Sequence, residues 1–262
     1  MNNSQIRGSG FMTEILKRLS KAKEVVIFSG AGLSADSGIP TFRDGASGLW
    51  ANVDPMEVAS IDGFNRDPET VWRWHQEMRH LFARSQPNAG HEAMAKMEML
   101  LQPAHVSIIT QNIDGLHQDA GNTRVLEVHG SARRIRCHRH CGFVEFWEID
   151  QPAPHQCPIC GAKARPDVVW FGEALNEEVF MAAERIASRA DVFFAVGTSS
   201  VVQPAASLPM LAINHGAMVI EVNPFETPFS AHADYSIRAG ASEFFPALCN
   251  GIGRRGWKRL LG

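Results

Sequence analysis

Glu24-Val25-Val26-Ile27-Phe28 and, one residue later, Gly30-Ala31-Gly32-Leu33-Ser34-Ala35-Asp36-Ser37-Gly38-Ile39-Pro40-Thr41-Phe42-Arg43-Asp44 decide the fold of this 262-residue chain. The first five residues are an apolar, β-branched run of the kind that forms a buried strand, so a glycine turn opens directly from a strand end. Gly30, Gly32 and Ala35 fit the dinucleotide-binding fingerprint. In that fingerprint glycines permit a tight turn and close backbone approach to a pyrophosphate, with glycine or alanine in third place. The donors such a turn offers a phosphate are backbone N–H groups. An ordinary unit would continue as a helix and a second strand ending in an acidic residue, whereas Ser37-Gly38-Ile39-Pro40 breaks any helix early. The glycine pattern alone also suits a purely structural turn.

Outward from this turn, Met12, Ile15, Leu16 and Leu19 recur at helical spacing and predict an amphipathic helix over 12–23. Residues 45–86 turn irregular and then helical, with Pro55, Gly63 and Pro68 as breaks and a Trp-rich helix over Thr70 to Arg84, which reads as an insertion beside the sheet. A helix over Asn88 to Leu101 leads into a strand at Val106 to Thr110. Further strands are expected at Arg124 to Val128, Asp191 to Val196, Met218 to Val222 and Tyr235 to Arg238, with helices at Asn176 to Ser188 and Pro204 to Asn214. Strands alternating with helices predict an α/β fold: a Rossmann-like, largely parallel sheet covered by helices on both faces. Ligands of such sheets bind outside the carboxyl ends of the strands. Here successive strands end in the glycine turn, Gln111-Asn112-Ile113-Asp114, His129, Gly197-Thr198-Ser199 and Asn223, so these polar groups are expected in one crevice. A dinucleotide suits that many polar contacts.

With Ser34, Ser37-Gly38-Ile39-Pro40 and Thr41-Phe42-Arg43 in place, the turn resembles the NAD-binding loop of the sirtuins, the NAD-dependent protein deacylases. The resemblance extends from the helix before Glu24 to Ala241, with motifs in the family's order. It implies an NAD-binding domain over 10–44, 87–130 and 168–262, and a small domain made of the helical insertion 45–86 and a zinc-binding module 131–167. It also implies cofactor contacts from Gly30, Ala31, Gly32 and Ser34, a shield over the reactive ribose carbon from Phe42, and a loop or phosphate anchor in Arg43. In the Gln111-Asn112-Ile113-Asp114 loop, Gln111 would face the ribose, Asn112 would order the ribose and a water, and Asp114 would hold the nicotinamide carboxamide. Gly197, Thr198 and Ser199 suit phosphate contacts, Asn223-Pro224-Phe225 the adenosine ribose, and Ala241 the backbone approach to adenine.

Imidazole, with a pKa near 6.5, can take a proton at neutral pH. A lone histidine is usually structural, but a strand end beside Gly130 favours chemistry for His129, and the resemblance assigns it as the base that activates a ribose hydroxyl. Cys137-His138-Arg139-His140-Cys141 followed by Cys157-Pro158-Ile159-Cys160 supplies two thiolate pairs, the requirement of a closed tetrahedral zinc site. Cys137, Cys141, Cys157 and Cys160 are the expected ligands of one structural Zn²⁺. The first pair is one residue wider than the family's, and His140 has the ordinary spacing from Cys137. Cys249 stands apart and is expected only to pack. Arg165-Pro166-Asp167-Val168-Val169-Trp170-Phe171-Gly172-Glu173 matches the family segment that pairs with an acyl-lysine peptide by strand addition. Val168, Val169, Phe171, Gly172 and Glu173 are its substrate-binding candidates, with Val169 and Phe171 lining the acyl tunnel.

Family members that remove succinyl or malonyl groups carry a Tyr and an Arg, three positions apart, to hold the acyl carboxylate. Alignment on Asp67-Pro68-Glu69 puts His75 and Met78 there. Loss of a bidentate arginine beside a buried carboxylate costs roughly 2–5 kcal/mol. Arg79 is adjacent, but on a helix it points about 100° away. The expectation is therefore an acetyl or other uncharged acyl group, although a protonated His75 would partly rescue an acidic chain and either His75 or Arg79 could serve as an alternative clamp.

A hydrophobic share of 45% and a formal charge of −3 suit a globular chain with a sizeable core and give no electrostatic reason to expect nucleic acid. Only Arg254-Arg255-Gly256-Trp257-Lys258-Arg259 is locally basic. Met1 to Gly10 lacks the apolar core of a signal peptide, and no apolar run approaches membrane-spanning length. Five cysteines, four of them clustered, suit a reduced compartment, and a cytoplasmic location is expected. The implied reaction moves the acyl group of a lysine to ADP-ribose, releasing nicotinamide and O-acyl-ADP-ribose. An ADP-ribosyltransferase would share the crevice without that product. A non-catalytic NAD-sensing module would bind NAD without releasing nicotinamide.

Overall fold

The structure, a computed structural model, describes residues 10–41, 53–152 and 156–254. Six strands form one parallel sheet: β1 Glu24–Ser29, β2 His105–Thr110, β3 Val125–Glu127, β7 Val192–Val196, β8 Met218–Val222 and β9 Tyr235–Ile237. Their order is β3-β2-β1-β7-β8-β9, so the chain winds outward from β1 in one direction and from β7 in the other. That is the doubly wound arrangement, whose switch point lies between β1 and β7. Register keeps the carboxyl ends level: Ser29 pairs with both Thr110 and Val196, and Val196 with Val222.

Strand side chains alternate between faces, so the continuous apolar runs bury both. Val25 and Ile27 of β1 pack with Val106, Ile108, Val192 and Phe194 under α1 (Gly10–Leu19), α5 (Ala89–Leu100) and α9 (Ala241–Arg254). Val26 and Phe28 pack with Ile109, Phe193 and Val219 on the opposite face, under α7 (Glu177–Ala187) and α8 (Leu208–Asn214).

A second, antiparallel sheet has the order β5-β4-β6, built from β4 Gly130–Cys137, β5 Val144–Phe146 and β6 Ala164–Val168. It packs against the insertion, whose helices are α2 (Pro55–Val58), α3 (Ile61–Arg66) and α4 (Pro68–Arg84). Asp67 caps α4 by accepting from the Thr70 N–H at 3.1 Å, with Pro68 in the first turn where its missing N–H costs nothing. Phe64, Trp72, Trp74, Met78, Trp147 and Trp170 form the core shared by helices and sheet. The short helix α6 (Leu116–Asp119) follows β2.

The expected elements are present with shifted ends. Helix α1 stops at Leu19, and the predicted helix from Pro204 begins as a single 3-10 turn, Ala205–Ser207. The antiparallel sheet and α9 are additions to the expected set. In place of a helix after the glycine turn stand two short 3-10 turns, Ala31–Leu33 and Ala35–Ser37, ended by Gly38 at φ +83°. Among the described residues no helix is long and apolar enough to cross a membrane.

Candidate active site

The turn after β1 is held from below by backbone. The Gly30 N–H donates to the Val196 carbonyl at 3.0 Å and the Gly32 N–H to the Gly197 carbonyl at 2.8 Å. A Cβ on Gly32 would lie 2.7 Å from that carbonyl oxygen, and one on Gly197, at φ +56°, would lie 2.4 Å from the Leu33 nitrogen. The glycines thus let the loops after β1 and β7 touch backbone to backbone at the switch point. Phe42 and Arg43 lie outside the described residues.

Over this floor the polar loop after β2 folds back. Asn112 is buried, donating its amide to the Gly30 carbonyl at 3.2 Å and to Ser34 Oγ at 3.1 Å. Ser34 Oγ in turn donates to Asp114 Oδ2 at 2.7 Å, and Asp114 Oδ1 accepts from the Leu116 N–H at 2.9 Å. Burial pushes the Asp114 carboxyl up, against the pull of those two donors and of nearby Arg133. Ile113 gives its carbonyl to the Ala132 N–H at 3.0 Å, so the loop is tied to β4.

His129 is half-buried at the end of β3. Its Nδ1 lies 3.0 Å from the Gln111 carbonyl, which can only accept. The ring proton is therefore on Nδ1, and Nε2 keeps its lone pair. Burial lowers the pKa below the ordinary imidazole value, with the Gln111 carbonyl acting the other way. A neutral imidazole with one nitrogen committed and one available is the form a general base needs.

Gln111 reaches across the crevice and donates to Thr198 Oγ1 at 2.8 Å, while Asn223 donates its amide to the Thr198 carbonyl at 2.9 Å. Asn223 Oδ1 accepts from the Phe225 N–H at 3.1 Å, closing a turn over Pro224. Ser199 is partly exposed beside Thr198. Beneath this edge Glu221, 1% exposed, accepts from Ser230 Oγ at 2.6 Å and Arg238 at 2.9 Å, and from Thr227 and Ser236. Its carboxyl is held below the usual range by these donors despite burial. Ala241 begins α9 and is buried against Gly90.

The segment after β6 is extended. The Val169 N–H donates to the His129 carbonyl and the Phe171 N–H to the Ala59 carbonyl, both at 2.9 Å. Val168 is buried in the small core, Val169 is half-buried and Phe171 is exposed. Arg165, fully buried, makes a bidentate pair with Glu173 at 2.7 Å to each oxygen, and its guanidinium lies 3.4 Å from the Trp170 ring centroid. Glu173 also accepts from the Trp170 N–H at 2.9 Å and from Arg136 at 3.2 Å. Its carboxylate is committed to this staple, and its N–H donates to the Trp170 carbonyl at 3.0 Å, closing a turn over Gly172.

His75 is 1% exposed, and its Nε2 accepts from the Trp170 indole at 3.1 Å. Burial, with the charge of Arg165 second, lowers its pKa to about 3. The ring is therefore neutral near pH 7. Met78 packs in the same core. Arg79 stacks on Trp147 at 3.5 Å and donates to the Trp147 carbonyl and, at 2.8 Å, to Gln76, so it is engaged elsewhere.

The sulfur atoms of Cys137, Cys141, Cys157 and Cys160 all lie within 4.8 Å of one another. Four thiolates bonded to one tetrahedral zinc at about 2.3 Å would stand roughly 3.8 Å apart, so the cluster fits. His140 absorbs the wider spacing: it adopts φ +55° in the turn, with its side chain exposed and outside the cluster. Cys249 is buried and donates to the Ala93 carbonyl at 3.2 Å.

Two contributors were not singled out by the sequence reading. Asn88 caps α5 through Oδ1 and donates its amide to the Leu33 carbonyl at 2.7 Å and Ser37 Oγ at 3.0 Å, tying the glycine turn to that helix. Ser29 Oγ, at the end of β1, bonds Thr110 Oγ1 and His117 Nε2, both at 2.9 Å. The cap could be read from Asn88 at a helix start, but its second partner is fixed only by the fold.

A family model described as the Sir2 family matches residues 30–204. The NAD-dependent protein deacylase of Mycobacterium tuberculosis (strain H37Rv) is 48% identical over 231 residues, covering 86% of this chain and 95% of that protein. NAD-dependent protein deacylase 2 of Corynebacterium efficiens is 45% identical, covering 88% and 94%. Among solved structures, a Sir2 homologue in complex with NAD superposes with a TM-score of 0.86 at 42% identity, covering 95% of this chain and 96% of that one. Sir2Tm bound to a propionylated peptide gives 0.77 at 31% identity, covering 92% and 98%.

Proposed function

The chain belongs to the Sir2 family, and from that premise we propose that it is an NAD-dependent protein-lysine deacylase acting on acetyl or other uncharged acyl groups. The observation that carries the chemistry is the His129 imidazole, neutral, proton on Nδ1, with Nε2 available at the crevice. NAD enters as co-substrate. Gly30, Ala31, Gly32, Ser34, Gly197, Thr198 and Ser199 cradle it at the switch point, Gln111 and Asn112 face its ribose, Asp114 its carboxamide, and Asn223 to Phe225 and Ala241 the adenosine end. Phe42 and Arg43 complete the assignment on the strength of the sequence motif.

The acyl-lysine peptide lies along Val169 to Gly172, with its acyl chain between Val169 and Phe171 and toward His75 and Met78. The acyl oxygen bonds to the ribose carbon as nicotinamide leaves with the glycosidic electron pair. Nε2 of His129 takes the proton of the ribose hydroxyl that then attacks the acyl carbon, and water releases lysine and O-acyl-ADP-ribose. Zinc bound by Cys137, Cys141, Cys157 and Cys160 would have a closed shell and tie the end of β4 to the turn ahead of β6. Four metal-binding thiolates persist in a reducing compartment, which supports a cytoplasmic site of action.

Three features favour a neutral acyl group: a buried neutral His75, Met78 in the apolar core, and Arg79 stacked on Trp147. The test is mass spectrometry of the purified protein with NAD on matched acetyl-, succinyl- and longer-chain acyl-lysine peptides. The expected result is O-acetyl-ADP-ribose from the acetyl peptide and little turnover of the succinyl one. His129→Ala is expected to lower kcat about 10²–10⁴-fold while NAD still binds. Preferred desuccinylation would overturn the acyl assignment. Nicotinamide release with ADP-ribose left on a protein would establish the transferase, and NAD binding without nicotinamide release the sensor.

A further inference from the structure

Helix α7 leaves the Val169 to Glu173 segment through Ala174-Leu175-Asn176, and Asn176 caps it by accepting from the Val179 N–H at 3.0 Å. Opposite, the chain after β7 runs through Val201-Val202-Gln203-Pro204, with Val201 56% and Val202 46% exposed. Between the helix and Pro204 lies an open groove of about 480 Å³, lined by Leu175, Glu177, Phe180, Met181 and Glu184. Residues 177, 180, 181 and 184 share one helical face, which brings apolar and acidic side chains to the same groove. Neither glutamate is in an ion pair among the described residues.

Resting on the deacylase reading, we infer that this groove is a subsite for a lysine or arginine side chain of the substrate, near the acyl-lysine in sequence. Such a side chain lays its aliphatic stem on Leu175, Phe180 and Met181 and brings its cation to the carboxylates. An apolar side chain would leave two carboxylates partly desolvated without a partner, and an acidic one would be repelled. Leu175 is four residues beyond Phe171, at most roughly 14 Å of chain, so the groove belongs to a position within about four residues of the acyl-lysine.

The experiment uses acetyl-lysine peptides with arginine, alanine, norleucine or glutamate at each neighbouring position, on the wild-type chain and on Glu177→Gln/Glu184→Gln. At one position arginine is expected to exceed alanine about fivefold in kcat/KM, carried by KM, with glutamate below alanine. In the double variant the arginine-to-alanine ratio falls to about one, and salt near 0.5 M shrinks it in the wild type. Arginine no better than alanine at every position, norleucine better than arginine, or an advantage that survives the double variant overturns the subsite. If the wild type turns over none of the peptides, the deacylase reading fails separately. Fluorescence anisotropy of the same peptides with NAD present then reads the ratio. Arginine-selective binding lost in the double variant upholds the subsite, and equal binding sinks it.

Discussion

Trp170 donates its indole N–H to His75, lies against the Arg165 guanidinium and gives its backbone N–H to Glu173. Three interactions of different kinds fix this one residue in the segment after β6, and one of them fixes the protonation of its partner. With Nε2 accepting, His75 carries its proton on Nδ1, and with a pKa of about 3 it stays neutral through the working range. The ratio of acetyl to succinyl kcat/KM is therefore expected to stay flat from pH 8 to pH 6. Desuccinylation that climbs as pH falls would mean that His75 charges. Arg165→Ala leaves the Glu173 carboxylate half-buried without its bidentate partner, a loss of about 3–5 kcal/mol that denaturant unfolding would read. None of this pairing was legible beforehand: the sequence offers Glu173 as a substrate-binding candidate and Arg165 as the start of the same segment, and only the fold turns them toward each other.

At the scale of elements, the strands were legible because a doubly covered parallel sheet demands continuous apolar runs, and Val25 to Phe28 and Val192 to Val196 are such runs. Strand β4 was not: Arg133, Arg134 and Arg136 break its alternation, their charges met by Asp119, Glu127, Asp167 and Glu173 from other elements. Helix α9 was hidden by Pro246, Gly251 and Gly253, although Phe244, Phe245, Leu248 and Ile252 mark its buried stripe. The glycine turn was legible as a turn and as a motif, but its contact with Gly197 was not. Gly32→Ala puts a methyl group 2.7 Å from the Gly197 carbonyl, so the two loops must part. The expected outcome is a loss of about 1–3 kcal/mol in stability and a raised KM for NAD, with KM for the peptide little changed.

At the scale of the whole molecule, three histidines among the described residues are fully buried and neutral: His75 and His91, each with a pKa lowered to about 3, and His117, lowered to about 4. Burial is the first cause in each. In the unfolded chain all three bind a proton near pH 6.5, so acid favours unfolding. Their contribution is fully present above pH 6.5 and is lost as pH falls toward 4 and then 3. Each accounts for about 1.4 kcal/mol per pH unit within that window. Thermal scans should show Tm nearly constant from pH 8 to 7 and falling steeply below 6. His117→Gln, if Gln keeps the Ser29 and Asn122 partners, should flatten that fall.

The residues proposed to meet the acyl chain stand on α4 and the segment after β6, around a core of Phe64, Trp72, Trp147 and Trp170 that is separate from both cores of the parallel sheet. His129, Asn112 and the glycine turn hang from the sheet instead. Substitutions in the proposed acyl pocket, one tryptophan or histidine at a time, can therefore alter which group fits there without disturbing the strand ends that carry the proposed NAD site.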